Sequence, residues 1–135
     1  MVSVKSVRRI GAASMVLPTC DHVIAPSLTM VFAPALMQSV FGPGAVAAVI
    51  FFIVLGIYQL IWIGVLLKSN NLSLLVLGIP GNLLSVLIYF VSMSGVTIFG
   101  VPPQQFSLFA VLIKALESVF ILASINVLKG LRGTY

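Results

Sequence analysis

The 135 residues are 61% hydrophobic and 7% charged, with a mean hydropathy of +1.26. A water-soluble domain carries about a quarter of its residues as charges, so this chain does not cover itself with a wet surface, and lipid is its expected solvent. The net charge of +5 comes from seven basic and two acidic residues, so their positions matter more than their sum.

Residues 1–21 begin with a basic stretch, MVSVKSVRRIGAASMVLPTCD. The apolar run after Arg9 is interrupted by Gly11, Ser14 and Pro18, which argues against a cleaved signal peptide. An interfacial segment is expected instead. Lys5, Arg8 and Arg9 fall on one helical side and Val4 and Val7 on another, as in a helix lying on an anionic leaflet. The first span is expected over residues 23–41, with Thr19 and Asp21 as caps beside Pro18. Pro26 and Pro34 make it the least regular. Pro34 removes one backbone hydrogen bond and should kink it, with a neighbouring helix, Ser27 or Thr29 answering the freed carbonyls.

After the turn FGPGA, residues 45–67 form an uncharged second span, long enough to cross a hydrocarbon core that needs about 20 residues. Lys68, Ser69, Asn70 and Asn71 end it. The third span covers residues 72–98 with Pro80 in its first half. The turn GVPPQQ leads to a fourth span over 106–128, and the tail KGLRGTY follows. The expected fold is all-α: a four-helix integral membrane bundle over residues 22–128, flanked by segments 1–21 and 129–135. No soluble domain fits in the short connections.

Lys5, Arg8, Arg9, Lys68, Lys129 and Arg132 belong to the tails and the loop at Asn70, whereas FGPG and GVPPQQ carry no basic residue. This asymmetry places both termini in the cytoplasm, in a multi-pass protein of the plasma membrane.

Small and polar residues recur at helical spacing. Ala45, Ala48, Phe52, Gly56, Gln59 and Ile63 share a face of the second span. Gly78, Gly81, Asn82, Ser85, Tyr89 and Ser92 share one of the third, and Ser107, Ala110, Lys114, Glu117 and Ser118 cluster on the fourth. Helices associate in lipid through close approach at small residues and through interhelical hydrogen bonds. A packing seam at Gly56, Gln59, Gly78, Gly81, Asn82 and Ser85 is therefore expected, with a polar pathway as the alternative.

Lys114 and Glu117 are the sharpest feature. Charges deep in a bilayer need partners, and the i,i+3 spacing lets these two pair. They read as a structural ion pair, as a contact to another subunit, or as a proton, ion or substrate site. Cys20, Asp21 and His22 invite a metal reading, but capping and interfacial polarity explain them more simply. One cysteine and one histidine exclude an internal disulfide and a Cys/His zinc cage. No Gly-rich phosphate loop and no internal repeat is present. No catalytic residue, metal or cofactor is expected on this chain, and no nucleic acid. Lipids and other membrane subunits are the expected partners.

From Phe51 to Glu117 the chain resembles a loosely defined group of small four-helix membrane proteins of bacteria and archaea. The matching points are Phe51-Phe52, Gly56, Gln59, Leu66-Leu67, Gly78, Gly81-Asn82, the Ser92 to Gly95 region and Ala115-Leu116-Glu117. Members of that group carry more Arg, His and acidic residues at the outer helix ends, where this chain has Met93, Val96, Thr97, Gln104 and Gln105. The resemblance thus implies a four-helix fold without the outer polar site, and favours a structural role. The expected function is that of a non-catalytic accessory subunit of a larger membrane complex, with a copper membrane monooxygenase of the archaeal ammonia-oxidising type as the named example. The alternative is a small four-helix exporter similar to the small multidrug transporters. Those need an acid in their first helix, and residues 22–41 hold none. An intramembrane enzyme ranks last.

Overall fold

The computed structural model describes residues 3–96, 98, 103 and 106–133. Its helices are α1 (Val4–Ser14), α2 (Val16–Phe32), α3 (Pro34–Phe41), α4 (Ala45–Lys68), α5 (Leu72–Met93) and α6 (Leu108–Arg132), with a 3-10 turn at Gly42–Gly44 between α3 and α4. Four helical stretches are long and apolar enough to cross a membrane: Val4–Phe32, Pro34–Lys68, Leu72–Met93 and Leu108–Arg132.

The first stretch differs from the sequence expectation. Thr19 and Asp21 cap nothing, because the helix is already running: α1 and α2 are separated only by Met15. Pro18 does not break α2, since it lies in the first turn, where a backbone N–H has no intrahelical partner. At the other end Pro34 terminates the helix where a kink was expected. A proline disfavours the α conformation in the residue before it, and Ala33 sits at φ −141°, ψ 57°, with Pro34 opening α3. Neither Ser27 nor Thr29 reaches the carbonyl freed by Pro34. Their hydroxyls donate to Val23 O and Ala25 O. The first long apolar helical stretch thus starts well before residue 23.

The bundle runs up and down. Val4 of α1 meets Gly130 near the end of α6, and Gly11 meets Ala123. His22 and Val23 of α2 meet Gln59 and Gly56 of α4. Tyr58 and Trp62 of α4 pack on Gly81 and Gly78 of α5, and Ser85 of α5 bonds Glu117 of α6. Each pair is antiparallel, so the start of α1, the 69–71 loop and the end of α6 share one end of the bundle. Side-chain caps start three helices: Ser3 accepts from Ser6 N, Asn71 from Leu74 N, and Ser107 from Ala110 N. At the shared end Met15, Leu66, Leu75, Phe120, Val127 and Leu128 form the main apolar core. A smaller one, Met37, Ala45 and Val49, lies at the other end.

Helix α1 belongs to this bundle. Arg8, 8% exposed, turns inward. Its Nη1 donates to Leu66 O at 2.9 Å and Ser69 O at 2.7 Å, and its Nη2 to Asn70 Oδ1 at 2.7 Å. Leu66 O and Ser69 O are carbonyls that a helix C-terminus leaves unpaired, and a cation there also meets the negative end of the α4 dipole. Of the three cations expected on a leaflet, only Lys5 and Arg9 remain exposed. Arg8→Ala should cost roughly 1.5–3 kcal/mol. Arg8→Lys keeps the charge but not the planar fork, and should recover only part of that. Thermal unfolding in detergent checks both, and a lysine variant as stable as the parent would refute the capping role.

The seam glycines are sites of close approach. A Cβ on Gly56 would overlap Val23 Cγ2, one on Gly78 would lie 3.0 Å from Trp62 Cε3, and one on Gly81 would overlap the Tyr58 ring. Gly81→Leu should therefore displace the Tyr58 ring from α5, with its bond to Leu77 O, and cost about 1–3 kcal/mol. Leu84→Ala, on the exposed side of α5, should lower the melting temperature far less. Equal shifts in the two variants would misplace the contact.

Candidate functional site

Midway along the bundle, each of the four long stretches contributes a buried polar side chain to one cluster. Glu117 of α6 and Gln59 of α4 are 0% exposed, His22 of α2 is 3% exposed and Lys114 of α6 8%. Asn82 and Ser85 of α5 complete it. Glu117 Oε1 accepts from Gln59 Nε2 at 2.8 Å and from Ser85 Oγ at 3.1 Å. Glu117 Oε2 accepts from Lys114 Nζ at 3.0 Å. Lys114 Nζ also donates to Ser85 Oγ at 2.9 Å. Since the Gln59 amide nitrogen donates to Glu117, its Oε1 is the acceptor at 2.9 Å from His22 Nδ1, which places the imidazole proton on Nδ1. That nitrogen is 3.7 Å from Glu117 Oε1. Asn82 donates to Gly78 O at 2.9 Å and presents Oδ1 at 3.5 Å from Gln59 Nε2. The His22 ring stacks on Phe52 at a centroid distance of 5.7 Å.

The arrangement satisfies a buried carboxylate with an ammonium, an amide and a hydroxyl from three helices. In a low-dielectric interior each such bond is strong, and an unpaired member would be costly. The cluster therefore fixes the rotation and axial position of the helices.

Beside the cluster lies a chamber of about 680 Å³, towards the end of the bundle opposite the basic residues. Lys114, Ser85, His22 and Asp21 line it beside the cluster, and Ser92 and Ser107 add hydroxyl residues to its lining. Glu117 lies behind them and does not line it. Tyr89 lines the wall one turn beyond Ser85 and is 8% exposed, and its hydroxyl has no hydrogen-bond partner among the described residues. Lys114 Nζ uses two of its three N–H directions. Most of the remaining lining is apolar, including Phe51, Phe52 and Ile113. The exposed Ile50 and Phe109 mark its mouth.

All six seam residues lie at helix contacts, and three of them, Gln59, Asn82 and Ser85, join the ion pair in one network. Lys114 and Glu117 pair directly at 3.0 Å. Cys20 is exposed, facing away from the buried His22, so the Cys20-Asp21-His22 run does not converge. Among the described residues no group of three or more His, Cys, Asp or Glu side chains has metal-holding geometry. His22 and Arg8 are the residues the sequence pattern placed elsewhere. With the first span starting at residue 23, His22 stood at a membrane mouth. The signal was available in Val4–Phe32 taken as one apolar helix, where a lone histidine near the middle asks for a partner. Thr97, Gln104 and Gln105 lie outside the described residues.

No protein-family model matches the chain, and neither a curated protein nor a solved structure shows significant similarity to it.

Proposed function

We propose that the chain is a non-catalytic, multi-pass membrane subunit, with both ends in the cytoplasm, whose bundle holds a small lipophilic molecule in the chamber beside Lys114. The observation that carries this reading is the separation of chamber and carboxylate. A general base or an ion-exchanging acid has to reach what it binds, yet Glu117 is 0% exposed, engaged by three donors and outside the chamber lining. A mostly apolar cavity with a few convergent polar groups is the usual form of a small-molecule site, and about 680 Å³ is an ordinary size for one. Clustering of the basic tails and of Lys68 at one end of the bundle supports the cytoplasmic assignment, in the plasma membrane. The short connections support work within a larger complex, for which the copper membrane monooxygenase of the ammonia-oxidising type is the named candidate.

Purification from native membranes in mild detergent, followed by native mass spectrometry, tests this. The expected result is a chain that retains a lipophilic adduct and co-migrates with larger subunits. A ligand-free chain migrating alone would overturn the reading. For orientation, a Cys20→Ser background with single cysteines at Gly44 or Asn70 should label from outside only at Gly44. The matching positions Gln104 and Thr134 lie outside the described residues.

Export of cations, as in small multidrug transporters, is the second reading, and Asp21 favours it. With the first apolar stretch at Val4–Phe32, the first span does hold an acid, and that acid lines the chamber. Lys114 on the same lining opposes a cation, which keeps this reading second.

A further inference from the structure

We propose that the chamber selects a neutral lipophile whose head carries a hydrogen-bond-accepting oxygen, a ketone or ester carbonyl, bound by the Tyr89 hydroxyl and the Lys114 ammonium. This rests on the binding reading above and adds the chemistry of the ligand.

Two donors point to the kind of atom. Tyr89 is a residue of the chamber wall, and its hydroxyl is buried without a partner among the described residues. A buried polar group is normally satisfied, and an orphan in a native structure asks for a ligand or a water. Lys114 Nζ has a third N–H beyond its bonds to Ser85 and Glu117. Tyr89 and Ser85 lie four residues apart on α5, about 6 Å along the helix axis, so both belong to the face of α5 that lines the chamber. An oxygen with two lone pairs suits both donors.

Charge decides against an ion. Asp21 and Lys114 both line the chamber, and among the described residues they form no ion pair with each other. An anionic head meets Asp21, with Glu117 behind it. A cationic head meets Lys114. In a site walled by Phe51, Phe52 and Ile113, the apolar surroundings screen either repulsion less than bulk water does. A neutral carbonyl takes the hydrogen bonds without that penalty, and its alkyl chain covers the apolar wall.

The test uses the full chain in lipid nanodiscs and a series sharing an undecyl tail: tridecan-2-one, dodecanoic acid, dodecylamine and 1-monolauroylglycerol. Each is titrated against the melting midpoint, which a ligand of the native state raises by mass action. Tridecan-2-one or the monoglyceride should bind more tightly than the acid or the amine. The better of the two tells a free ketone from a lipid ester. Tyr89→Phe removes only the hydroxyl and should weaken the preferred ligand roughly threefold to tenfold, leaving the acid and the amine unchanged. Ala110→Phe, on the chamber wall one turn before Lys114, narrows the chamber and should weaken binding of the preferred ligand. Tighter binding of the acid or amine, or an unchanged affinity in Tyr89→Phe, overturns the head-group assignment while a lipophile-binding chamber stands. Failure of the whole series to bind overturns both.

Discussion

Glu117→Gln should be among the most damaging single substitutions in the chain, at about 3–5 kcal/mol, and adding Lys114→Met should return most of that loss. The single change replaces a carboxylate oxygen with an NH2 group in a place already surrounded by donors: Gln59 Nε2, Ser85 Oγ and Lys114 Nζ. The lysine is left as a buried charge without its counter-ion, and breaking a buried pair from one side costs about that much. Some of the loss is recovered if the lysine stem swings toward the chamber. In the double variant no charge remains. The amide oxygen at position 117 accepts from Gln59, and its NH2 donates to Ser85 Oγ, so every polar atom has a partner. A double-mutant cycle on detergent stability measures the coupling, and should be run beside an assay of whatever complex co-purifies. Rescue of both stability and activity fits a structural pair. A double variant that assembles but is inactive would make Glu117 a functional intramembrane carboxylate and end the non-catalytic reading.

Gln59→Leu should follow closely, with a loss of roughly 2–4 kcal/mol. Gln59 joins the network across helices, accepting from His22 and donating to Glu117. Leucine has similar bulk but leaves His22 Nδ1 without its acceptor and Glu117 Oε1 short of a donor, two buried groups at about 1–3 kcal/mol each. Tyr58→Phe is the comparison one residue away. It deletes a bond to Leu77 O at 2.9 Å in a more exposed place, and should cost no more than about 1 kcal/mol. Because His22 and Gln59 share one bond, His22→Phe combined with Gln59→Leu should cost less than the sum of the two. Additive losses, or equal melting temperatures for Gln59→Leu and Tyr58→Phe, would show that the network does not join α2 to α6.

Length and hydropathy in the sequence determined the four long apolar stretches, because about 20 residues without charge suit the width of a hydrocarbon core. The 3.6-residue period determined which side chains share a face, so Gly56 with Gln59, Gly81 with Asn82 and Ser85, and Lys114 with Glu117 were legible as inward groups. That these groups meet, and which others join them, was decided by tertiary structure. Contact between helices depends on their rotation and axial offset, and no local pattern encodes either. His22 reaches Gln59 because α2 starts at Val16 and runs antiparallel to α4. Pro18 reads locally as a helix boundary, but its missing N–H costs nothing in a first turn. Arg8 illustrates the same limit at the basic end. Its charge suggests a lipid surface, and only the arrival of the α4 C-terminus beside α1 gives it three acceptors inside the protein. The chamber is likewise a property of the packing. Tyr89 and Ser85 share a face in the sequence, but the space before them is enclosed by residues of α2, α4 and α6, which only the packing brings opposite them.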